Sequence, residues 1–228
     1  MNFKNIFCLS VISSLLFLSG CSTTQGLKSG QIPTELKSQL SSQQAIVGYF
    51  SRTENEEDCG CASQIDSTYS KTPVEDGYYR VLLGRNAKGD FLVQDFYQKT
   101  GHPQSSPAWV TDPLKLFSFD GSDVEGPVTL YYPDGKVAAK FTNKDGEAIE
   151  GEDYYTNGQL GSLFKTDDQG NSEYRLWYAS GKKAVEYTLN KNQETTSSQA
   201  WNEDGSDNED IEGVFKKIYD LLDPKFQE

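Results

Sequence analysis

One short phrase, written several times at a fixed interval, limits what this chain can fold into. Tyr131-Tyr132-Pro133-Asp134-Gly135 returns as Tyr154-Tyr155-Thr156-Asn157-Gly158 and as Trp177-Tyr178-Ala179-Ser180-Gly181, with a worn copy at Trp201-Asn202-Glu203-Asp204-Gly205. The glycines stand 23, 23 and 24 residues apart, and a constant period in this range marks a repeat architecture. Halfway through the first two periods come further turn phrases, Asn143-Lys144-Asp145-Gly146 and Asp167-Asp168-Gln169-Gly170. Each repeat therefore predicts two short strands and two tight turns. Asp-Gly and Asn-Gly supply the positive φ that two-residue hairpin turns require. The segments between turns are of strand length and too short for a stable helix. They also alternate: Val128, Leu130 and Tyr132 fall on one face, Thr129 and Tyr131 on the other, the period-2 pattern of a half-buried strand. The aromatic pair before each turn is expected to stack on its copies one repeat away.

The pattern aromatic-Tyr-x-(Asp/Asn)-Gly-(Lys/Gln), with a glycine heading the repeat at Gly126 and Gly151, resembles the bacterial variant of the MORN repeat. The best-kept positions are Tyr131, Tyr132, Gly135, Tyr154, Tyr155, Gly158, Trp177, Tyr178 and Gly181, and their expected role is structural. The resemblance implies an antiparallel meander of β-hairpins over about residues 126–206. It also implies partner binding, since proteins of this type include antitoxin- and immunity-like components. The chain departs from the pattern where Glu173-Tyr174-Arg175 replaces the heading glycine, and where Asn202 replaces the second aromatic.

Ahead of the array, an apolar run from Ile6 to Leu18 follows a short start whose one charge is Lys4. It is too short to span a membrane comfortably and fits a signal peptide over residues 1–20. Its end, Leu18-Ser19-Gly20-Cys21, resembles the lipobox of bacterial lipoproteins. That resemblance implies cleavage before Cys21 and acylation of Cys21, and two or three acyl chains anchor firmly. Ser22 at the next position resembles the outer-membrane sorting choice, which implies a protein facing the periplasm. Residues 21–42 are rich in Ser, Thr, Gln and Gly and are expected to be a tether.

Residues 43–125 are expected to form an N-terminal β region. Strands are predicted at Ala45–Phe50, Tyr78–Gly84 and Phe91–Tyr97, the last two joined by a hairpin loop, with a further strand and turn at Leu114–Gly121. Phe96-Tyr97-Gln98-Lys99-Thr100-Gly101 reads as a stretched early copy of the repeat. The span from His102 to Pro113 holds three prolines and predicts an irregular loop carrying Trp109. In the tail, Ile211, Val214, Phe215, Ile218, Leu221 and Leu222 recur at helical spacing. Residues 207–228 thus predict an amphipathic helix that caps the array's last open edge.

Chemistry-bearing constellations are scarce. With Cys8 in the signal and Cys21 acylated, Cys59 and Cys61 are the remaining thiols. Export favours oxidation, so a local disulfide or a bridge to another molecule is expected ahead of metal binding or redox catalysis. A four-ligand metal site is poorly served by a chain whose one histidine is His102. Triad catalysis would hinge on the same residue. The acids around Gly205 and Gly213 are wrongly spaced for a calcium loop, and no glycine-rich phosphate loop precedes a helix. The expectation is a protein without cofactor, metal or enzymatic activity. The alternatives are a structural envelope lipoprotein and, behind it, a carboxylate-dependent hydrolase. The formal net charge is −13; loss of residues 1–20 would leave 20 basic residues against 34 acidic ones, a net of −14. Such a charge repels nucleic acid and anionic headgroups and favours a protein partner with a basic face.

Overall fold

A computed structural model describes residues 45–53 and 66–222. The described chain is mainly β, built as two antiparallel sheets and one helix. The expected signal peptide (residues 1–20), the expected tether (21–42) with Cys21, and Cys59 and Cys61 lie outside the described residues.

The first sheet holds β1 (Ala45–Thr53), β2 (Asp66–Ser70), β3 (Tyr78–Arg85), β4 (Phe91–Tyr97) and β5 (Ala108–Val110), in the order β2-β1-β3-β4-β5. β1 therefore inserts between β2 and β3, so the order along the sheet is not the order along the chain. Two predictions for this region are corrected. Trp109 lies in β5 rather than in an irregular loop, because Ala108 and Val110 turn inward against β4. Pro113–Phe117 is a 3-10 helix rather than a strand. The Asp112 side chain accepts from the Leu114 amide there, and proline fits the first turn. A second 3-10 turn, Gly121–Asp123, is capped by Asp120 in the same way.

The second sheet is a plain meander: β6 (Gly126–Tyr131), β7 (Val137–Lys144), β8 (Glu147–Tyr154), β9 (Leu160–Thr166), β10 (Ser172–Trp177), β11 (Lys183–Leu189), β12 (Thr195–Trp201) and β13 (Asp207–Asn208). Every strand pairs with its neighbour in the chain, including those of the worn last copy. The phrase turns are a residue longer than predicted. The Gly135 amide donates to the Tyr132 carbonyl at 2.8 Å and the Tyr132 amide to the Lys136 carbonyl at 2.8 Å. Gly135 takes φ 89°. This is a tight turn closed by a left-handed glycine at a bulge, repeated at Tyr155, Tyr178 and Asn202. The acid or amide in each phrase keeps negative φ and serves through its side chain: Asp134, Asn157 and Asp204 accept from the amide two residues on. Asp145-Gly146 does form the two-residue turn, both residues having positive φ. The third half-period turn is Asn190-Lys191-Asn192-Gln193, in which Gln193 stands at φ 64° where its counterparts carry glycine.

The phrase aromatics divide between the two faces. The second of each pair is buried and donates its hydroxyl to the next repeat: Tyr132 to the Tyr154 carbonyl at 2.6 Å, Tyr155 to that of Trp177 at 2.8 Å, and Tyr178 to that of Trp201 at 2.7 Å. Tyr97 donates to Tyr131 in the same manner at 2.7 Å, so Phe96-Tyr97 is the first rung of the ladder. Cohesion between the phrases thus runs through these bonds. The array's ring stack lies elsewhere, in mid-strand, running Phe164, Tyr174, Tyr187 and on to Phe215 and Tyr219 of the helix.

The two sheet edges are treated differently. Residues 104–109 run along β6: the Ser106 amide donates to Thr129 at 2.7 Å, Tyr131 to Gln104 at 2.9 Å and Glu125 to Trp109 at 2.7 Å. The same segment pairs with β4, so it joins the two sheets and closes the β6 edge. At the far edge stands the two-residue β13. The helix α1 (Ile211–Leu222) does not cap that edge, as predicted, but lies across the face of β9–β12. Val214, Ile218 and Leu222 bury against Leu176, Val185 and Ala200, and Leu222 packs over Gly161, whose missing Cβ leaves the room. The helix starts where Asp210 accepts from the Gly213 amide.

Candidate functional site

The array has one covered and one open face. The covered face carries two rows across the strands, read from the strand registers. One runs Val128, Phe141, Gly151, Phe164, Tyr174, Tyr187; the other runs Leu130, Ala139, Asp153, Ser162, Leu176, Val185, Ala200. Two covers share it. The segment 113–124 sits over β6 and β7 with Leu116 and Val124 against Val128 and Phe141, tied down where the Asn143 side-chain amide donates to the carbonyls of Gly121 and Val124. The helix covers β9–β12. Beside the first cover lies a cleft of about 230 Å³ whose lining includes Gly121, Ser122, Lys140, Phe141, Glu152, Asp153 and Phe164.

Asp153 in this cleft is unusual in its surroundings. Two acids, Asp95 and Asp123, are buried in the described fold, and a third, Asp153, is half-buried. Asp95 makes a two-pronged ion pair with the fully buried Arg80, both bonds 2.8 Å. Asp123 holds Lys115. Asp153, in a row of otherwise uncharged residues, has as its side-chain partner the Ser162 hydroxyl, which donates to it. Burial pushes the Asp153 carboxyl above its ordinary range, and the Ser162 bond pulls partly back. Tyr219 reaches over from the helix to Ser162; burial, and after it the Asp153 charge, push its phenol up to about 12. The phenol is neutral and offers Asp153 no countercharge.

On the open face stand the first aromatics of the phrases, Tyr131, Tyr154, Trp177 and Trp201, all half-buried. Beside them run paired charges, Lys140 with Glu152 and Arg175 with Glu186 across strands and Lys183 with Glu186 within β11. Lys140 lies over the Tyr154 ring and Lys183 over that of Trp201, both at 5.1 Å. No described element packs over this face.

The sequence-level candidates sort as follows. Tyr132, Tyr155 and Tyr178 form the ladder, Gly135, Gly158 and Gly181 the turns, and Tyr131, Tyr154 and Trp177 the open stripe. Cys21, Cys59 and Cys61 fall outside the described residues. His102 Nδ1 meets the Pro133 carbonyl at 2.7 Å, which pins the turn after β4 to the first phrase turn. Asp153 went unrecognised as a site residue. Its signal, an acid at an inward position beside Gly151, is legible only once the inward face is known. Among the described residues no three His, Cys, Asp or Glu side chains gather as metal ligands. Glu152 and Asp153, adjacent in β8, both contribute to the cleft's lining, but their side chains point to opposite faces. No model of a known protein family matches the chain, and no curated protein is similar to it.

Proposed function

We propose that this chain is a lipid-anchored envelope protein of the bacterial MORN-variant type, held through Cys21 at the outer membrane facing the periplasm. Its array acts as a non-enzymatic protein-binding module, with an antitoxin- or immunity-like role. The observation that carries this reading is the open face. Four aromatics in successive repeats, about 10 Å apart by the two-strand spacing, form a stripe flanked by charged side chains. Half-buried Tyr and Trp among polar neighbours are the composition of protein contact surfaces. Excess negative charge then selects partners with a basic face.

The module is tested by capture. The protein is immobilised and exposed to envelope extract at low and raised ionic strength, and bound proteins are identified by mass spectrometry. The expected result is one stoichiometric basic partner, released by salt and lost in the Tyr154→Ala/Trp177→Ala variant. Capture that ignores both salt and the double substitution would overturn the reading.

A further inference from the structure

The cleft on the covered face departs from the array's own pattern in two ways, and both departures lie in β8. The aromatic row is broken at Gly151, where a Cβ would stand 2.4 Å from the Phe164 ring. The apolar row is broken at Asp153. Each break has a local cause, close ring packing in the first case and the Ser162 bond in the second. Neither explains why a carboxylate without a cation is kept there. The other two internal acids are neutralised by Arg80 and Lys115, whereas no described Lys or Arg pairs with Asp153. An acid half removed from water without a countercharge costs stability, and such a cost is most readily kept where a group from outside supplies the charge.

We propose that this cleft receives a lysine or arginine side chain of the protein partner, its methylenes lying along Phe141 and Phe164 and its cationic head pairing with Asp153. The volume suits an unbranched stem with a charged end. Phe141, Ala148 and Phe164 supply the apolar walls; of the polar lining residues, Asn143 is already engaged with the carbonyls of Gly121 and Val124, and Lys140 with Glu152 and the Tyr154 hydroxyl, which leaves Asp153 and Ser122. Aromatic walls favour the stem and a cation together. The Ser162 hydroxyl orients the carboxylate, and the neutral Tyr219 phenol at Ser162 does not compete for the cation. The proposal rests on the protein-binding reading and names the chemistry by which a basic partner would be held.

The test uses the full chain in detergent, titrated with Nα-acetyl-lysine amide and followed by amide NMR. Nα-acetyl-norleucine amide, with the same stem and no charge, serves as the comparison probe. Saturable shifts centred on Gly151, Asp153 and Phe164 are expected, about tenfold weaker for the norleucine probe and for Asp153→Asn. Near-ultraviolet dichroism checks that Asp153→Asn keeps its packing, and Asp153→Glu should retain part of the affinity. Equal binding of the two probes, or shifts spread over the acidic surface and unchanged in Asp153→Asn, would overturn the cleft proposal. Capture of a salt-sensitive partner with equal strength by Asp153→Asn would overturn it too, while leaving the module reading standing. Lysine-probe binding at the cleft with no protein captured at all would instead overturn the module reading.

Discussion

The first sheet and the repeat array are both antiparallel, yet they are held together in opposite ways. In the array each strand pairs with its chain neighbour, and each repeat adds one hydroxyl rung and one glycine-closed turn. Its cohesion is local and additive, as expected for a repeat structure whose units contact only their neighbours. The first sheet inserts β1 between β2 and β3 and centres on one buried cation. Arg80 is 2% exposed; it pairs with Asp95, gives hydrogen bonds to the carbonyls of Lys115, Leu116 and Ser118, and lies over the rings of Phe50 and Phe119. One side chain there orders two strands and the 3-10 helix. Distributed bonds tolerate single losses, whereas a hub does not.

That contrast can be broken most sharply at the hub. Arg80→Met leaves Asp95 uncompensated and takes one donor from each of three carbonyls, of which that of Lys115 keeps the Ser118 amide, and should cost about 3–5 kcal/mol. Hydrogen exchange is expected to accelerate throughout β1–β5 and much less in β8–β12; uniform acceleration would mean that the two regions unfold as one. A single rung should matter less. Tyr155→Phe deletes one buried hydrogen bond and strands the Trp177 carbonyl, for about 1–2 kcal/mol in urea melts, with exchange rising mainly on either side of β8–β10. Gln193→Gly works in the opposite direction. Relief of a non-glycine residue at φ 64° should stabilise the protein by about 1 kcal/mol, seen as a higher midpoint at an unchanged slope.

The smallest effect concerns Asp153 and depends on pH. A carboxyl whose pKa is raised on folding contributes stability below its unfolded value and loses that contribution as pH rises through the folded one. Asp153→Asn should therefore raise the melting temperature at pH 7 by a few degrees at most, with the gain disappearing at pH values below the ordinary carboxylate range. A gain independent of pH would mean that the Asp153 charge is not what burdens the fold.

Legibility follows the same division. Turn phrases, strand lengths, the inward set Val128, Leu130 and Tyr132, and the helical spacing from Ile211 to Leu222 were all readable, because each is decided within a few residues. Tyr97 could be assigned to the repeat since its phrase, though stretched, kept the aromatic pair and the glycine. Gln193 hid a turn because the glycine that would have announced it is absent, although Asn190 still organises the loop. Trp109 was misplaced because prolines around a three-residue strand speak louder than the strand, which exists only through pairing with β4 and β6.

The sequence by itself determined the meander: its period, its turns and the division of each strand into two faces, since these arise from φ preferences and side-chain alternation between adjacent residues. Tertiary structure alone decided what each face became. The helix lies on a face rather than at the edge because burying Val214, Ile218 and Leu222 needs an apolar surface, which Leu176, Val185 and Ala200 offer jointly from three strands. The cleft brings Gly121 and Ser122 against Phe141, Asp153 and Phe164 of three strands, a juxtaposition that no local pattern encodes.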